Sequence, residues 1–200
     1  MSSTPTTTTA TATANPPPAF DFPREYHFPP FFTRQTNLTT YHSQLEKWSS
    51  LILSYARHHR IFRLSLSYEG APYEELFRNR KLNRSLRLSD AREILEFMRK
   101  EGRAEPVAGA KDGNGAAGDA YWVYWRTPEE WAALVEAWVE ETAQKGVVFT
   151  LYELTDGDGT RGTEFYGLDS ELLQKALQVL VKRGKAQIFG QEDQQGVKFF

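Results

Sequence analysis

The side chains in this sequence that could carry chemistry are few, and their spacing limits what they could do. "GDGTRG", residues 157 to 162, matches the pattern G-x-G-x-x-G. A dinucleotide site needs that pattern between a buried strand and a helix, so that the helix N-terminus faces pyrophosphate. Here a short helical stretch, "LYELT", precedes it and "TEFYG" follows, so a flexible loop is the better reading. "DGDGTRG" also imitates a calcium loop starting at Asp156. Such a loop needs glycine at its sixth place and glutamate at its twelfth, and those places hold Arg161 and Gly167. The four histidines are His27, His42, His58 and His59. The adjacent pair falls at a helix end, where it suits the helix dipole better than a metal. Cysteine is absent, which removes thiolate nucleophiles, disulfides and Cys-based zinc sites and suits a reducing compartment. No G-x-x-x-x-G-K-[ST] or G-x-S-x-G occurs, and Glu140–Glu141 reads as a solvated face. The sequence thus nominates no catalytic, cofactor-binding or metal-ligating residue, and no cofactor is expected.

Two features could bind a partner instead. The first is basic: "RNRKLNRSLR", residues 78 to 87, holds five Lys/Arg, and residues 78 to 103 hold nine against four acidic residues. Duplex affinity grows with the number of phosphates neutralised, so a DNA-binding reading rests on this region. The chain as a whole is slightly acidic at −2, and Asp169 and Glu171 open the last long helix, where a groove-reading helix would meet phosphate. Nucleic acid is therefore not the expected partner. The second feature is "FDFPREYHFPPFF", residues 20 to 32, which places Phe20, Phe22, Tyr26, Phe28, Phe31 and Phe32 among Pro23, Pro29 and Pro30. The prolines fix φ and push the preceding residues toward extended conformations, so residues 20 to 36 are expected to be extended and not helical. Burying one such ring is worth about 1.5–3 kcal/mol, and proline lowers the entropy lost on docking. The strip suits a groove on another protein; folding back over its own domain is the competing reading.

Those features need elements to hold them. The 200 residues allow one domain or two small ones. Residues 1 to 19, rich in Thr, Ala and Pro, lack apolar surface and are expected to be disordered. They show no signal or transit peptide pattern, and position 2 is serine, not the glycine that myristoylation requires. No apolar run approaches the ~20 residues of a bilayer span, so a soluble cytosolic protein is expected. Tyr41, Leu45, Trp48, Ile52 and Tyr55 form one apolar stripe of a helix over about 41 to 60, with Thr39 or Thr40 as cap. A strand over 61 to 68, a short helix over 73 to 83 and a helix from Ser89 or Asp90 to Gly102 follow. Strands near 103 to 107 and 121 to 125 flank the loop "AGAKDGNGAAGD". Thr127, Pro128 and Glu130 open a helix that Gly146 is expected to stop, with Trp131, Leu134, Val135, Trp138 and Val139 on its inner face. "VVF", the capping box Thr150/Glu153, a helix capped by Asp169 and ended by Gly184, and the hairpin "KAQIF"/"VKFF" complete the chain.

The same element order appears twice. "ILEFMRKEGRA" (94 to 104) parallels "ALQVLVKRGKA" (176 to 186), aligning Leu95 with Leu177, Met98 with Leu180, Gly102 with Gly184 and Ala104 with Ala186. Helix-turn-helix followed by a hairpin is a winged-helix arrangement, so the expected fold is α+β and mainly helical. It comprises a tail (1 to 19), an extended docking segment (20 to 36) and two tandem winged-helix domains (37 to 126 and 127 to 200). Charge divides along the same line: residues 1 to 126 hold 17 Lys/Arg against 13 Asp/Glu (+4), and residues 127 to 200 hold 7 against 13 (−6). The two halves are expected to present different faces to charged partners.

Several uncommon strings occur together: "YHFPPFFTRQTN", "WRTPEEW", "VFTLYELTDGD", "FYGLD" and the terminal "GVKFF". In these the chain resembles the small tandem winged-helix subunit of the endosomal sorting complex ESCRT-II, the vacuolar protein-sorting-associated protein 25 family, over roughly residues 20 to 200. The resemblance implies a non-enzymatic scaffold of multivesicular body sorting, cytoplasmic and peripherally recruited to the endosomal membrane. Its partners would be two larger winged-helix subunits of ESCRT-II and the nucleating subunit of ESCRT-III, with membrane contact only indirect. It implies that N-terminal proline/aromatic motifs dock on the larger subunits and that the second domain recruits ESCRT-III. Pro29, Pro30 and Phe32, flanked by Phe28 and Phe31, stand at one motif. Pro23 and Tyr26 stand at the other, with Arg24 in place of its second proline.

Overall fold

A computed structural model describes residues 19–67, 69–109, 119–190 and 195–200. All but the last residue of the expected disordered tail, most of the loop at 108 to 119 and most of the turn "GQEDQQG" lie outside the described residues.

The segment expected to be extended is coiled into two 3-10 turns, Arg24–His27 and Pro29–Phe32. Proline permits this because the first residues of a helical turn need no intrahelical N–H and its φ already suits them. The amides of Tyr26 and Phe28 reach the carbonyls of Pro23 and Glu25 at 2.9 and 3.0 Å, and those of Phe31 and Thr33 reach Phe28 and Pro30 at 2.9 and 3.1 Å.

α1 runs Leu38–His59, capped by Asn37, whose Oδ1 accepts from the amides of Thr39 and Thr40 at 3.0 and 3.1 Å. The two threonines expected to cap the helix are thus its first-turn donors. β1 (Arg63–Ser65), α2 (Glu74–Phe77), the two-residue strands β2 (Arg78–Asn79) and β3 (Arg84–Ser85), and α3 (Leu88–Lys100) follow. The helix expected over 73 to 83 therefore breaks into one turn and a small hairpin. Asn79 causes this: its Oδ1 accepts from the amide of Leu82 at 3.1 Å, and Asn83 takes φ 49°. Asparagine side chains compete with helix in this way. α3 starts after Arg87, without the side-chain cap expected of Ser89 or Asp90. β4 (Ala104–Pro106) and β5 (Ala120–Val123) close a sheet of order β1-β5-β4, with Arg63 opposite Trp122 and Ala104 opposite Val123.

The second unit repeats the pattern. α4 (Pro128–Glu141) has the expected capping box but ends before Gly146, because Ala143 takes φ 54° and Thr142 Oγ1 bonds back to the Trp138 carbonyl. β6 (Val148–Thr150), α5 (Leu151–Asp156), α6 (Ser170–Lys182, capped by Asp169), β7 (Ala186–Phe189) and β8 (Gly196–Phe199) complete it. The sheet order β6-β8-β7 is that of the first sheet, first strand, third, second. Gly102 and Gly184 end α3 and α6 at φ 69° and 68°, and all the paired side chains, Leu95/Leu177, Met98/Leu180 and Ala104/Ala186, are buried. The repeat read from the sequence is therefore a repeat of topology and core.

One core gathers around Trp48, Ile52, Leu95 and Met98, and another around Trp131, Val135, Leu173 and Leu177. They meet across the first sheet. Successive residues of β5 point to opposite faces, so Tyr121 and Val123 pack on the first core while Trp122 and the following Tyr124 pack on the second.

The "GDGTRG" stretch has a structural role here. After α5 it forms a 3-10 turn, Asp158–Thr160, with Thr160 buried and its hydroxyl donating to the carbonyls of Gly157 and Glu153. A Cβ on Gly157 would sit 2.3 Å from the Glu153 carbonyl oxygen. Gly157→Ala is expected to cost about 1–3 kcal/mol of stability, seen as a lower urea midpoint at unchanged slope; an unchanged midpoint would remove this role for the glycine.

Candidate partner-docking site

The proline/aromatic segment lies along α1, and its residues divide into two sets. Tyr26, Phe31 and Phe32 are buried at 4%, 6% and 3% exposure. Phe31 stacks on Trp48 with ring centroids 4.4 Å apart and planes 8° apart, and Phe32 meets the same indole edge-on at 5.5 Å. The carbonyl of Phe31 accepts from Trp48 Nε1 at 3.0 Å and from Gln44 Nε2 at 2.8 Å. Tyr26 donates its hydroxyl to the backbone carbonyl of Glu75, and its own carbonyl accepts from Asn79 Nδ2 at 2.9 Å. Burial, reinforced by the charge of Glu75, pushes the Tyr26 phenol well above its usual range. Phe22 stacks on Tyr26 at 4.0 Å, and Phe20 meets Tyr55 and His58 edge-on at 5.0 and 5.4 Å. These rings already lie against their own domain. Tyr26, Phe31 and Phe32 are folded back on their own domain: Trp48 and Gln44 of α1 hold Phe31, Trp48 meets Phe32, and Glu75 and Asn79 hold Tyr26.

Pro23, Phe28, Pro29 and Pro30 are exposed, Phe28 at 60%. Phe28 is the residue between the two turns, at φ −110° and ψ 115°, and this extended step throws its ring outward. Beside it lies a groove of about 380 Å³, lined by Phe28, Pro30 and Phe31 on one side and Thr40, Gln44 and Lys47 of α1 on the other. Lys47 pairs with Glu25 at 3.0 Å, closing one end, and lowers the pKa of that carboxylate. Outside the groove, beyond the second turn of the segment, Arg34 and Tyr41 converge on Glu93 of α3. Burial and that hydrogen bond push the Tyr41 phenol up to about 12. The segment is therefore fastened at both ends and at its middle, leaving one apolar ridge exposed.

Sequence reasoning named the ridge and its anchors together and missed the residues that separate them. Gln44 and Asn79 are buried polar side chains whose donors hold Phe31 and Tyr26. A signal for Gln44 existed, since it sits four residues before Trp48 on the same helical face.

The basic region presents less free charge than its composition suggests. Arg78 and Arg80 pair with Glu74, Arg92 with Asp119, Arg99 with Glu96 and Arg103 with Glu130. Residues 78 to 87 also lie on the β2–β3 hairpin and its flank, not on a helix that could enter a groove. Among the described residues no group of three or more His, Asp or Glu side chains is placed to hold a metal ion, and no helix is long and apolar enough to cross a membrane.

The family model described as ESCRT-II complex subunit matches residues 25 to 169, from within the first 3-10 turn to the cap of α6. The chain is 42% identical over 182 residues to vacuolar protein-sorting-associated protein 25 of Homo sapiens, spanning 91% of this chain and 98% of that one. With the Xenopus laevis protein of the same name identity is 40%, spanning 90% and 99%. The solved structure of subunit VPS25 of the endosomal trafficking complex ESCRT-II superposes with a TM-score of 0.77 at 30% identity, covering 90% of this chain and 98% of that one. A structure of the endosomal complex ESCRT-II (VPS22/VPS25/VPS36) gives a TM-score of 0.76 at 31% identity, covering 89% and 98%. This chain belongs to the vacuolar protein-sorting-associated protein 25 family of ESCRT-II complex subunits. Members of this family are scaffold subunits, not enzymes, and the chain is one of them.

Phe31→Ala is expected to cost about 3–5 kcal/mol of folding stability, whereas Phe28→Ala should stay within about 0.5 kcal/mol. Urea unfolding followed by tryptophan fluorescence separates them; equal losses would mean the two sets are not distinct.

Proposed function

We propose that this chain is an adaptor of two tandem winged-helix domains, over residues 37 to 126 and 127 to 200. Its N-terminal segment joins it to the two larger winged-helix subunits of ESCRT-II, and its second domain recruits an ESCRT-III subunit. It acts in the cytoplasm and is held peripherally at the endosomal membrane through the complex during multivesicular body sorting. The observation that carries the docking reading is the apolar ridge of Phe28, Pro29 and Pro30, exposed on a segment whose neighbours are locked into the core. An exposed ridge that cannot fold away keeps its apolar surface available to a partner, and its ordering cost is already met in the free chain.

The seven docking residues have unequal roles. Pro23, Phe28, Pro29 and Pro30 make contact, while Tyr26, Phe31 and Phe32 position them from beneath. Replacing Phe32 along with Pro29 and Pro30 would mix a contact defect with a folding defect, since Phe32 is 3% exposed.

The test is a triple variant, Phe28→Ser with Pro29→Ala and Pro30→Ala, co-expressed with the two larger subunits. Association should weaken by at least about tenfold, with an unchanged circular dichroism spectrum. Undiminished co-purification of the folded variant would overturn the docking reading.

A further inference from the structure

We infer that the two halves of this chain turn as one rigid body, their angle set by a shared sheet and by an arginine clasp centred on Glu164. The common expectation for tandem domains joined by a short connection is relative motion, unless a substantial apolar interface forbids it. Here the connection is not a linker. β5 is buried on both faces, with Val123 in the first core and Trp122 in the second, so a hinge at residue 126 would expose an indole. The junction continues through Phe62, which meets Trp125 edge-on at 5.0 Å, and Trp125, which lies 5.8 Å from Trp131 of α4.

Around this apolar wall the first half reaches out with arginines. Arg60 ends α1 in the left-handed conformation, at φ 53° and ψ 42°. L-residues other than asparagine and aspartate rarely accept that conformation. It directs the guanidinium to the second half, where it donates to the carbonyls of Glu164 and Tyr166 at 3.3 and 2.6 Å. Arg126 grips the Glu164 carboxylate with two bonds of 2.8 and 2.6 Å, and Arg57 approaches the same carboxylate at 3.6 Å. On the flank Arg63 holds Asp169 with two bonds of 3.1 Å while its guanidinium lies 4.1 Å from the centre of the Trp122 ring. Asp169 is also the cap of α6, so the arginine takes hold of the helix through its own N-terminus. The two-nitrogen, two-oxygen grip of Arg126 on Glu164 fixes direction as well as distance, which a single ion pair would not.

The chain has no cysteine, so two spin labels can be placed without altering any native thiol. Labels at Ser50→Cys on α1 and Gln178→Cys on α6 report the angle between halves in the free protein, and a pair at Ser50→Cys and Arg87→Cys is the control within one half. The measurement needs no ESCRT partner, so its outcome is separate from that of the docking test. The interdomain distance distribution by pulsed electron resonance should be as narrow as the control. Introducing Arg60→Gly, which relieves the backbone, together with Glu164→Ala should widen it about twofold or split it in two. A wild-type distribution broader than the control overturns the proposal. So does a folded double variant as narrow as wild type, since the clasp would then have no part in fixing the angle.

Discussion

The stack of Phe31 on Trp48 is the contact on which the arrangement of the N-terminal segment depends. It buries one aromatic pair face to face, worth about 0.5–1.5 kcal/mol beyond its area, and it brings the Phe31 carbonyl under the indole N–H of Trp48 and the amide of Gln44. Backbone as well as ring is held, so the segment cannot slide along α1 without breaking both. Once Phe31 is seated, Pro29 and Pro30 are fixed in the same 3-10 turn, and the extended step at Phe28 turns its ring outward. Exposure of the ridge follows from burial of its neighbour. A free, flexible leader would have offered more aromatic surface, but with no fixed orientation.

A similar logic governs the first sheet. "YWVYW" is an apolar run without polar alternation, and such runs belong to strands covered on both faces. In β5 both covers are supplied by one chain: α1 and α3 on one face, α4 and α6 on the other. This explains why a domain boundary drawn at 126 divides the charges and the repeat cleanly but does not divide the packing. Two buried indole N–H groups, Trp125 and Trp131, have no acceptor among the described atoms. Both lie at this junction, where Trp125 packs against Phe62 and Trp131.

How legible the molecule was from sequence depended on how local the cause was. The helical stripes through Trp48, Ile52 and Tyr55 and through Trp131, Val135 and Val139 are buried as their periodicity predicts. The capping boxes at Thr127 and Thr150 and the cap at Asp169 form as read. These are signals within a few residues of chain. The errors came where a side chain's partner is distant or where a competing local bond wins. Asn79 turned an expected helix into a hairpin by bonding its own neighbour. Proline suits extended backbone, but its φ equally suits a 3-10 turn, and the turn is what forms over Pro29–Phe32. Of the segment, the composition was legible, but its division into exposed and buried residues was not, because that needs α1 in place beneath it.

Charge gives the last step. The +4 and −6 balances of the two halves invite a reading in terms of outside partners, and much of that asymmetry is instead neutralised within the molecule. Arg57, Arg63, Arg103 and Arg126 from the basic half face Glu164, Asp169, Glu171 and Glu130 from the acidic half. The hydrogen bonds and charge of Arg126 keep the Glu164 carboxyl below the usual carboxylate range. For Glu130, burial alone would raise the pKa, but the Thr127 amide and Arg103 outweigh it and the net shift is downward. Glu164 and Glu130 are thus both held by arginines of the first half, and the pairing crosses the junction. A charge difference between two halves of a sequence can record how they hold each other. In this chain it does so at the positions where helices α4 and α6 begin, which are the points best placed to fix the direction of everything that follows.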